Sequence, residues 1–395
     1  MSALVNLFYI YDPWLQHVLC MSLLTGFLML LWFAYKWFKK EIKQLIIPID
    51  SLMVCAALII LSFIPILING TTEFGVISMY VKLAIIFVLG IIIYNVLYAH
   101  QNADSQLIRD LKFGISLQSI LGFGALAGIP LFIAVSLGTN SDMGGELSRF
   151  IGSEQEYRLY NFTSSAFFQL SAFYLMLLHF LLAYNEKQQN LNAIYIFLIL
   201  FIGLISGRTF FIFSVISLVV YFKVRYIPAI LLFAILVLAF AYFYPNHPYV
   251  AHALEIVINI INGGSQLSSS SDTLLHKHLF MPEIKQLIMG DGLYYVQENA
   301  TRSYYGGSDS GFVRQALYGG VGYILICFLF TAYFIKRIAD NWFAGSWKFI
   351  LSTLFVLSIL NVKADTYAYP GIMFVFLMFI SLFGSKGKNI IVERK

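Results

Sequence analysis

Runs of about 20 predominantly apolar residues, the length that carries a helix across a bilayer with every backbone hydrogen bond made internally, recur along the whole of this 395-residue chain. They predict spans near 15–37, 45–69, 76–99, 113–137, 163–184, 191–206, 209–222, 227–245, 311–335, 348–362 and 370–384. Composition agrees: 59% of residues are hydrophobic and 11% charged, against about 25% charged in soluble domains. No long hydrophilic linker interrupts the pattern, so residues 1–395 are expected to form a single membrane domain. The expected class is an all-α polytopic integral membrane protein with about 11 spans.

The net charge of +5 is spread over many short loops rather than gathered into a stripe, which argues against nucleic acid as a partner. Cys20, Cys55 and Cys327 fall inside apolar runs, and no disulfide framework or zinc pattern exists. Met1 to Tyr11 lacks Lys and Arg, and Lys39, Lys40 and Lys43 follow the first apolar run, so no cleavable leader is expected.

Cytoplasmic loops retain Lys and Arg, and alternate sorting of the loops separates the 25 cations unevenly. Segments 36–43, 99–112, 185–190, 222–226, 335–348 and 385–395 hold 16; the opposite side holds Arg149, Arg158, Arg208, Lys277, Lys285, Arg302, Arg314 and Lys363; Lys82 lies within a span. The N-terminus is therefore expected outside and the C-terminus inside. Both substantial loops, 138–162 and 246–310, are expected outside as well. In the larger one, Ala251 to Ile261 has the apolar spacing of an amphipathic interfacial helix ended by Gly263 and Gly264. Ser268 to Asp272 reads as a connector, Pro282 as the first turn of a second short helix ending before Gly290, and 290–311 as an ordered loop.

Only Arg109, Arg225, Arg337 and Arg394 are arginines among the 16 inner cations, whereas five of the eight outer ones are. Topology disfavours any positive charge outside, so cations that persist there with a planar donor fork point to a bound anion such as phosphate. The competing arrangement is local pairing, with Glu146, Glu154 and Glu156 around Arg149 and Arg158, and with Asp309 near Arg314. Arg208 stands apart. It sits in Ile205-Ser206-Gly207-Arg208-Thr209, a break too short for a solvated loop, where an ionisable group is a functional candidate or else snorkels to the interface. His276 and His278, two residues apart, would point to different faces of a helix and lack a completing carboxylate, so no metal is expected. Tyr294, Tyr295, Tyr304 and Tyr305 could stack on sugar rings. A transporter would place ionisable residues or paired repeats near the midplane, where this chain offers only Lys82, Asp50 and His179.

Three elements resemble the superfamily of O-antigen polymerases and O-antigen ligases: a short arginine-bearing outer loop, a Ser-Gly-Arg break, and a large loop ending in Asp-Ser-Gly-Phe before a glycine-bearing span. Arg149-Phe150-Ile151-Gly152 followed by Asn161 is similar to that superfamily's first outer-loop pattern, with Tyr160 where it has Pro. Ser206-Gly207-Arg208 and Gly290-Asp291-Gly292 resemble two further elements, and Asp309-Ser310-Gly311-Phe312-Val313 followed by Leu317, Gly319 and Gly322 is the best match. Ligases typically begin this last element with His-Asn, whereas Asp-Ser is the form found in polymerases.

The resemblance implies a GT-C-like membrane glycosyltransferase at the periplasmic face of the bacterial inner membrane. It would join oligosaccharide repeats carried on undecaprenyl diphosphate, without metal or other cofactor, alongside membrane lipids and a polysaccharide chain-length regulator. Arg149, Arg158, Arg208, Arg302 and Arg314 would bind diphosphate, Arg208 acting in catalysis, and Asp309 would be the general base, with Glu154, Glu156 or His276 as substitutes. The alternatives are a ligase delivering glycan to a lipid A core and, from another class, a flippase or transporter.

Overall fold

The computed structural model describes the chain outside residues 101, 141–145, 189–190, 264–272, 299–300, 385–386, 388 and 394–395, and side chains outside 146–147, 297–298 and 301–302 as well. In chain order its helices are α1 (Ser2–Tyr11), α2 (Met21–Phe38), α3 (Ile49–Leu61), α4 (Ile64–Asn69), α5 (Gly75–Leu97), α6 (Ala103–Leu126), α7 (Pro130–Gly138), α8 (Phe167–Gln188), α9 (Ala193–Ser206) and α10 (Arg208–Val220). There follow α11 (Ile227–Phe243), α12 (Pro248–Ala253), α13 (Glu255–Ile261), α14 (Ile284–Met289), α15 (Gly311–Trp342), α16 (Trp347–Lys363) and α17 (Ile372–Ile380). Short antiparallel pairs join β1 (Trp14–Leu15) to β2 (Leu19–Cys20), β3 (Gln44–Pro48) to β6 (Asn389–Glu393), and β4 (Tyr295–Glu298) to β5 (Thr301–Tyr304).

The chain is 73% helical. Six described stretches are long and apolar enough to cross a membrane: Met21–Phe38, Ile49–Asn69, Gly75–Leu97, Phe167–Gln188, Val224–Phe243 and Gly311–Trp342. That is the make-up of an α-helical membrane protein. Shorter apolar helices are Ser2–Tyr11, Ala193–Ser206 and Arg208–Val220. Local sequence sets many boundaries. Prolines occupy the first turns of α4, α7, α11 and α12, where a missing N–H costs nothing. Asn192 caps α9 by accepting from the Ile194 N–H, and Ser346 caps α16 by accepting from Phe349.

Contacts divide the chain into two compact units. The first comprises Met1–Ile42, Ile92–Ser268 and Gly371–Phe376. Its centre is α8, buried at every residue from Leu170 to Asn185, as a helix apolar on all sides must be. The helices α9 and α10 pack on it, and Phe376 meets Phe173 and Phe180 edge-on at 5.6 and 5.9 Å. The helix α6 lies against α1, α7 and α9, and α11 against α9. The amphipathic segment is two short helices, α12 and α13, rather than one; the expected connector Ser268–Asp272 lies outside the described residues.

The second unit comprises Lys43–Ile91, Ser269–Pro370 and Leu377–Lys395. There α15 packs on α3, α14 and α16. Pro282 does not enter the first turn of α14: Glu283 is the N-cap, in a reciprocal capping box with Gln286 that leaves the proline just outside. Arg337 is buried and gathers the β3–β6 end, donating to Asp50, to Tyr333 and Asn389 at 3.2 Å, and to the Ser381 carbonyl at 3.3 Å.

The helix α15 is interrupted at Gly319 and Gly320, the latter at φ 70° and ψ −172°. The Leu317 and Tyr318 carbonyls at the break accept from the Asp291 and Gly292 N–H groups at 2.7 and 2.9 Å. Gly290 makes this approach possible, with φ 69° and an ideal Cβ position only 2.4 Å from the Tyr318 carbonyl carbon. Gly290→Ala is therefore expected to destabilise the protein by about 1–3 kcal/mol through left-handed strain and displacement of the loop. Gly322→Ala, where nothing stands within 4 Å, is expected to leave stability unchanged or slightly improved. Thermal unfolding of both variants in nanodiscs checks the contrast.

Candidate functional site: a guanidinium pair at a helix break

The break between α9 and α10 is a single residue. Gly207 holds φ 156° and ψ 159°, a region essentially reserved for glycine. A Cβ there would lie 3.0 Å from Ser171 Oγ and 3.2 Å from Arg158 Nη2. Arg158 rests on this gap: its Nε donates to the Ser206 carbonyl at 3.4 Å and its Nη1 to Gln155 Oε1 at 3.0 Å. Below it is Phe167, whose ring centroid is 4.1 Å from the guanidinium carbon and whose φ of 55° is unusual for an aromatic residue. Arg208 opens α10 on the other side of the same glycine.

Arg208 forms an ion pair with Glu255, the first residue of α13, whose side chain is 25% exposed. Among the described residues, no carboxylate lies within ion-pairing distance of Arg158. The local pairing considered from sequence does not form at Glu156, which instead accepts from Tyr160 at 2.6 Å and from the Gly152 N–H. Two guanidiniums thus share one carboxylate at contact distance. Burial pushes the Arg158 guanidinium down to about 10, opposed by Tyr157 and assisted, less strongly, by the Arg208 charge. That is far enough above neutral pH to leave it charged.

An apolar cavity of about 610 Å³ adjoins the pair. Its walls come from α6, α9, α11 and α12, with Phe123, Phe201, Phe233 and Val237 among the lining residues. Three other lining residues are chain neighbours of the charged site: Tyr157 precedes Arg158, Ile205 precedes Ser206, and Leu254 precedes Glu255. The Tyr157 hydroxyl also meets His252 Nδ1 at 2.9 Å. A site of this form accepts an anionic head with an apolar tail.

Arg149 is exposed, and among the described residues it is linked to this site through aromatic contacts: its guanidinium carbon is 4.9 Å from the Phe150 ring centroid, and that ring is 4.7 Å from Phe167. In the second unit Arg314 lies on the first turns of α15, 2% exposed, with Nη2 3.5 Å from an equally buried Asp365. Tyr304 stacks on its guanidinium at 3.9 Å. Tyr294 donates its hydroxyl to Asp365, and its own ring centroid is 5.7 Å from the Arg314 guanidinium carbon. Tyr295 stacks on Tyr304 at 5.5 Å, and Tyr305 donates to Asp291 at 3.0 Å. All four tyrosines are thus engaged inside the unit. Arg302 lies on β5 opposite Gln297, and its side chain is outside the described residues. The exposed Asp309 donates its N–H to His278 Nδ1 at 3.0 Å, with Nε2 3.4 Å from its carboxylate. His276, the alternative base, is exposed.

Sequence reasoning therefore missed four residues: Glu255 and His252 beside the arginine pair, Asp365 as the counterion of Arg314, and His278 beside Asp309. Among the described residues no group of three metal-ligating side chains is present. Comparison of the chain with family models, with curated proteins and with solved structures finds no match.

Removing one member of a buried ion pair strands the other charge. Asp365→Asn is expected to cost about 3–5 kcal/mol of stability, whereas Asp309→Asn, with its side chain 58% exposed, is expected to cost under about 1 kcal/mol. Unfolding midpoints of the two variants, measured in the same lipid, test this.

Proposed function

We propose that the chain is a membrane glycosyltransferase polymerising undecaprenyl-diphosphate-linked oligosaccharide repeats into O-antigen or a related surface polysaccharide. In this reading it has about eleven spans, a periplasmic N-terminus, a cytoplasmic C-terminus and an active site at the periplasmic face of the inner membrane. The observation that carries the proposal is the Arg158–Arg208 pair, of which only Arg208 meets a carboxylate among the described residues, beside an apolar cavity walled by membrane-type helices. The pair fits a lipid diphosphate and the cavity fits the first part of its isoprenoid chain.

The chemistry follows from charge. The bond between the donor sugar's anomeric carbon and the diphosphate oxygen breaks, and its electron pair leaves with the diphosphate. Negative charge grows there in the transition state, where guanidiniums already in place stabilise it without reorganisation. The acceptor hydroxyl oxygen bonds to the anomeric carbon and surrenders its proton to a general base. Arg314, whose charge is met by Asp365, is assigned a structural part rather than the diphosphate role expected of it. A chain-length regulator remains the proposed protein partner.

The ligase reading gains one specific point: His278 supplies, from 31 positions earlier in the chain, a histidine beside the element that ligases begin with His. Loss of a polymerase leaves single repeats on the lipid A core, whereas loss of a ligase leaves the core bare, so a deletion strain separates the two. For the enzyme itself, purified protein in nanodiscs with lipid-linked repeats is expected to lose roughly 100-fold or more in turnover on Arg208→Ala, and a comparable factor on Arg158→Ala. Full turnover by Arg208→Ala would remove the diphosphate role.

A further inference from the structure

His252 enters the arginine site from the α12 side. Its Nδ1 is 2.9 Å from the hydroxyl of Tyr157, the residue preceding Arg158. Three positions after His252, Glu255 pairs with Arg208. The imidazole is half-buried and packs edge-on against the Tyr157 ring with centroids 5.8 Å apart. We propose that His252 is the proton-binding third member of this anion site, so that a phosphate-bearing headgroup seated on Arg158 and Arg208 is taken up together with a proton on His252. The inference rests on reading the arginine pair as a headgroup site, and it adds a ligand that the guanidiniums alone do not supply.

His252 touches Tyr157 and feels the charges of Arg158, from the segment before α8, and Arg208, from α10; the exposed Glu154 acts on Tyr157, and on the histidine's own segment His247 packs on Tyr249 and Glu255 pairs with Arg208. Without an anion the two guanidinium charges oppose an imidazolium. Burial first, then the Arg208 and Arg158 charges, push the imidazole down to about 4, so it is neutral at pH 7. A phosphate group between the guanidiniums cancels that repulsion and adds attraction, raising the imidazole toward its ordinary range. Tyr157 suits both states: burial pushes its hydroxyl up to about 12, so it keeps its proton and can donate to neutral Nδ1 or accept from a protonated one. In the imidazolium both ring nitrogens are donors, so Nε2–H is a donor additional to the one at Tyr157.

Coupling between two sites is reciprocal. Whatever factor the anion gives the proton, the proton gives the anion, and at pH values below the anion-bound midpoint release of a diphosphate product is tied to loss of that proton. Headgroup affinity then rises as pH falls through the histidine's anion-bound titration, and falls as pH rises through it.

The test is histidine NMR on the full chain in nanodiscs, with His252 assigned by the resonance missing from His252→Gln and inorganic pyrophosphate as the probe. The midpoint is expected near 4 without probe and at least one unit higher at saturation. The ratio of wild-type to His252→Gln affinity, in which the probe's own protonation cancels, should grow between pH 8 and pH 5. That growth is about twofold for a one-unit shift and about tenfold for two. An unchanged midpoint with pyrophosphate bound overturns the coupling and leaves the headgroup reading standing. Wild-type protein that binds no pyrophosphate, or Arg208→Ala that binds it undiminished, sinks both.

Discussion

When an apolar helix stops partway along its course, the carbonyls of its last turn lose their i+4 donors, and an apolar environment offers no water to replace them. Two interruptions in this chain are organised around that constraint. At Gly207, Gly203 O accepts from the Gly207 N–H and Ser206 Oγ, and Ser206 O accepts from Arg158. At Gly319–Gly320, Leu317 O and Tyr318 O accept from Asp291 and Gly292. In the first case the donor that completes the backbone is itself a charged side chain. A structural need for a donor thus fixes a guanidinium beside Arg208, and Arg158 is positioned by backbone bonding rather than by a counterion.

That positioning has an electrostatic consequence. Like charges near one another in a partly buried setting repel, and the cost is lowest when an anion joins them. Here the protein supplies a single carboxylate at contact distance, Glu255, from a short helix whose neighbours Ala253 and Leu254 line the apolar cavity. The segment that neutralises Arg208 is therefore also part of the wall around the cavity. Movement of α12 and α13 would change the charge balance and the access to the apolar space together.

How much of this was legible in the sequence depends on chain separation. The Ser206-Gly207-Arg208 break was visible because a Gly-Arg step interrupts two apolar runs, and Gly290-Asp291-Gly292 stood out by its glycines. The helical class followed from run length alone. The counterions were not visible, because Glu255 lies 47 residues from Arg208 and Asp365 lies 51 from Arg314. Proximity in sequence pointed instead to Glu156 for Arg158 and Asp309 for Arg314, and both carboxylates turn to other partners: Tyr160 and Gly152, and His278. The tyrosines looked like a stacking surface by composition. Tyr294 and Tyr304 meet Arg314 and Asp365, Tyr295 stacks on Tyr304 and Tyr305 donates to Asp291, and nothing in a run of tyrosines foretells these partners before the fold is known.

The two arginines at interrupted helices differ in what their counterions allow. Arg314 and Asp365 are each 2% exposed; burial raises the Asp365 carboxyl well above the usual carboxylate range, and separating the two would leave the Arg314 guanidinium buried without its partner, at a cost of several kcal/mol. An incoming anion could not recover that cost by contact with Arg314 alone. Glu255 is 25% exposed and Arg208 13%, so Glu255 lies nearer solvent than Asp365, and parting this pair costs less than parting Arg314 from Asp365. On the proposed reading a ligand with two or more negative charges would replace it, gaining Arg158 as well as Arg208. Of the two arginines near interrupted helices, Arg208 has the more exposed counterion, which is why the proposed reading places the anion at Gly207 rather than at Arg314.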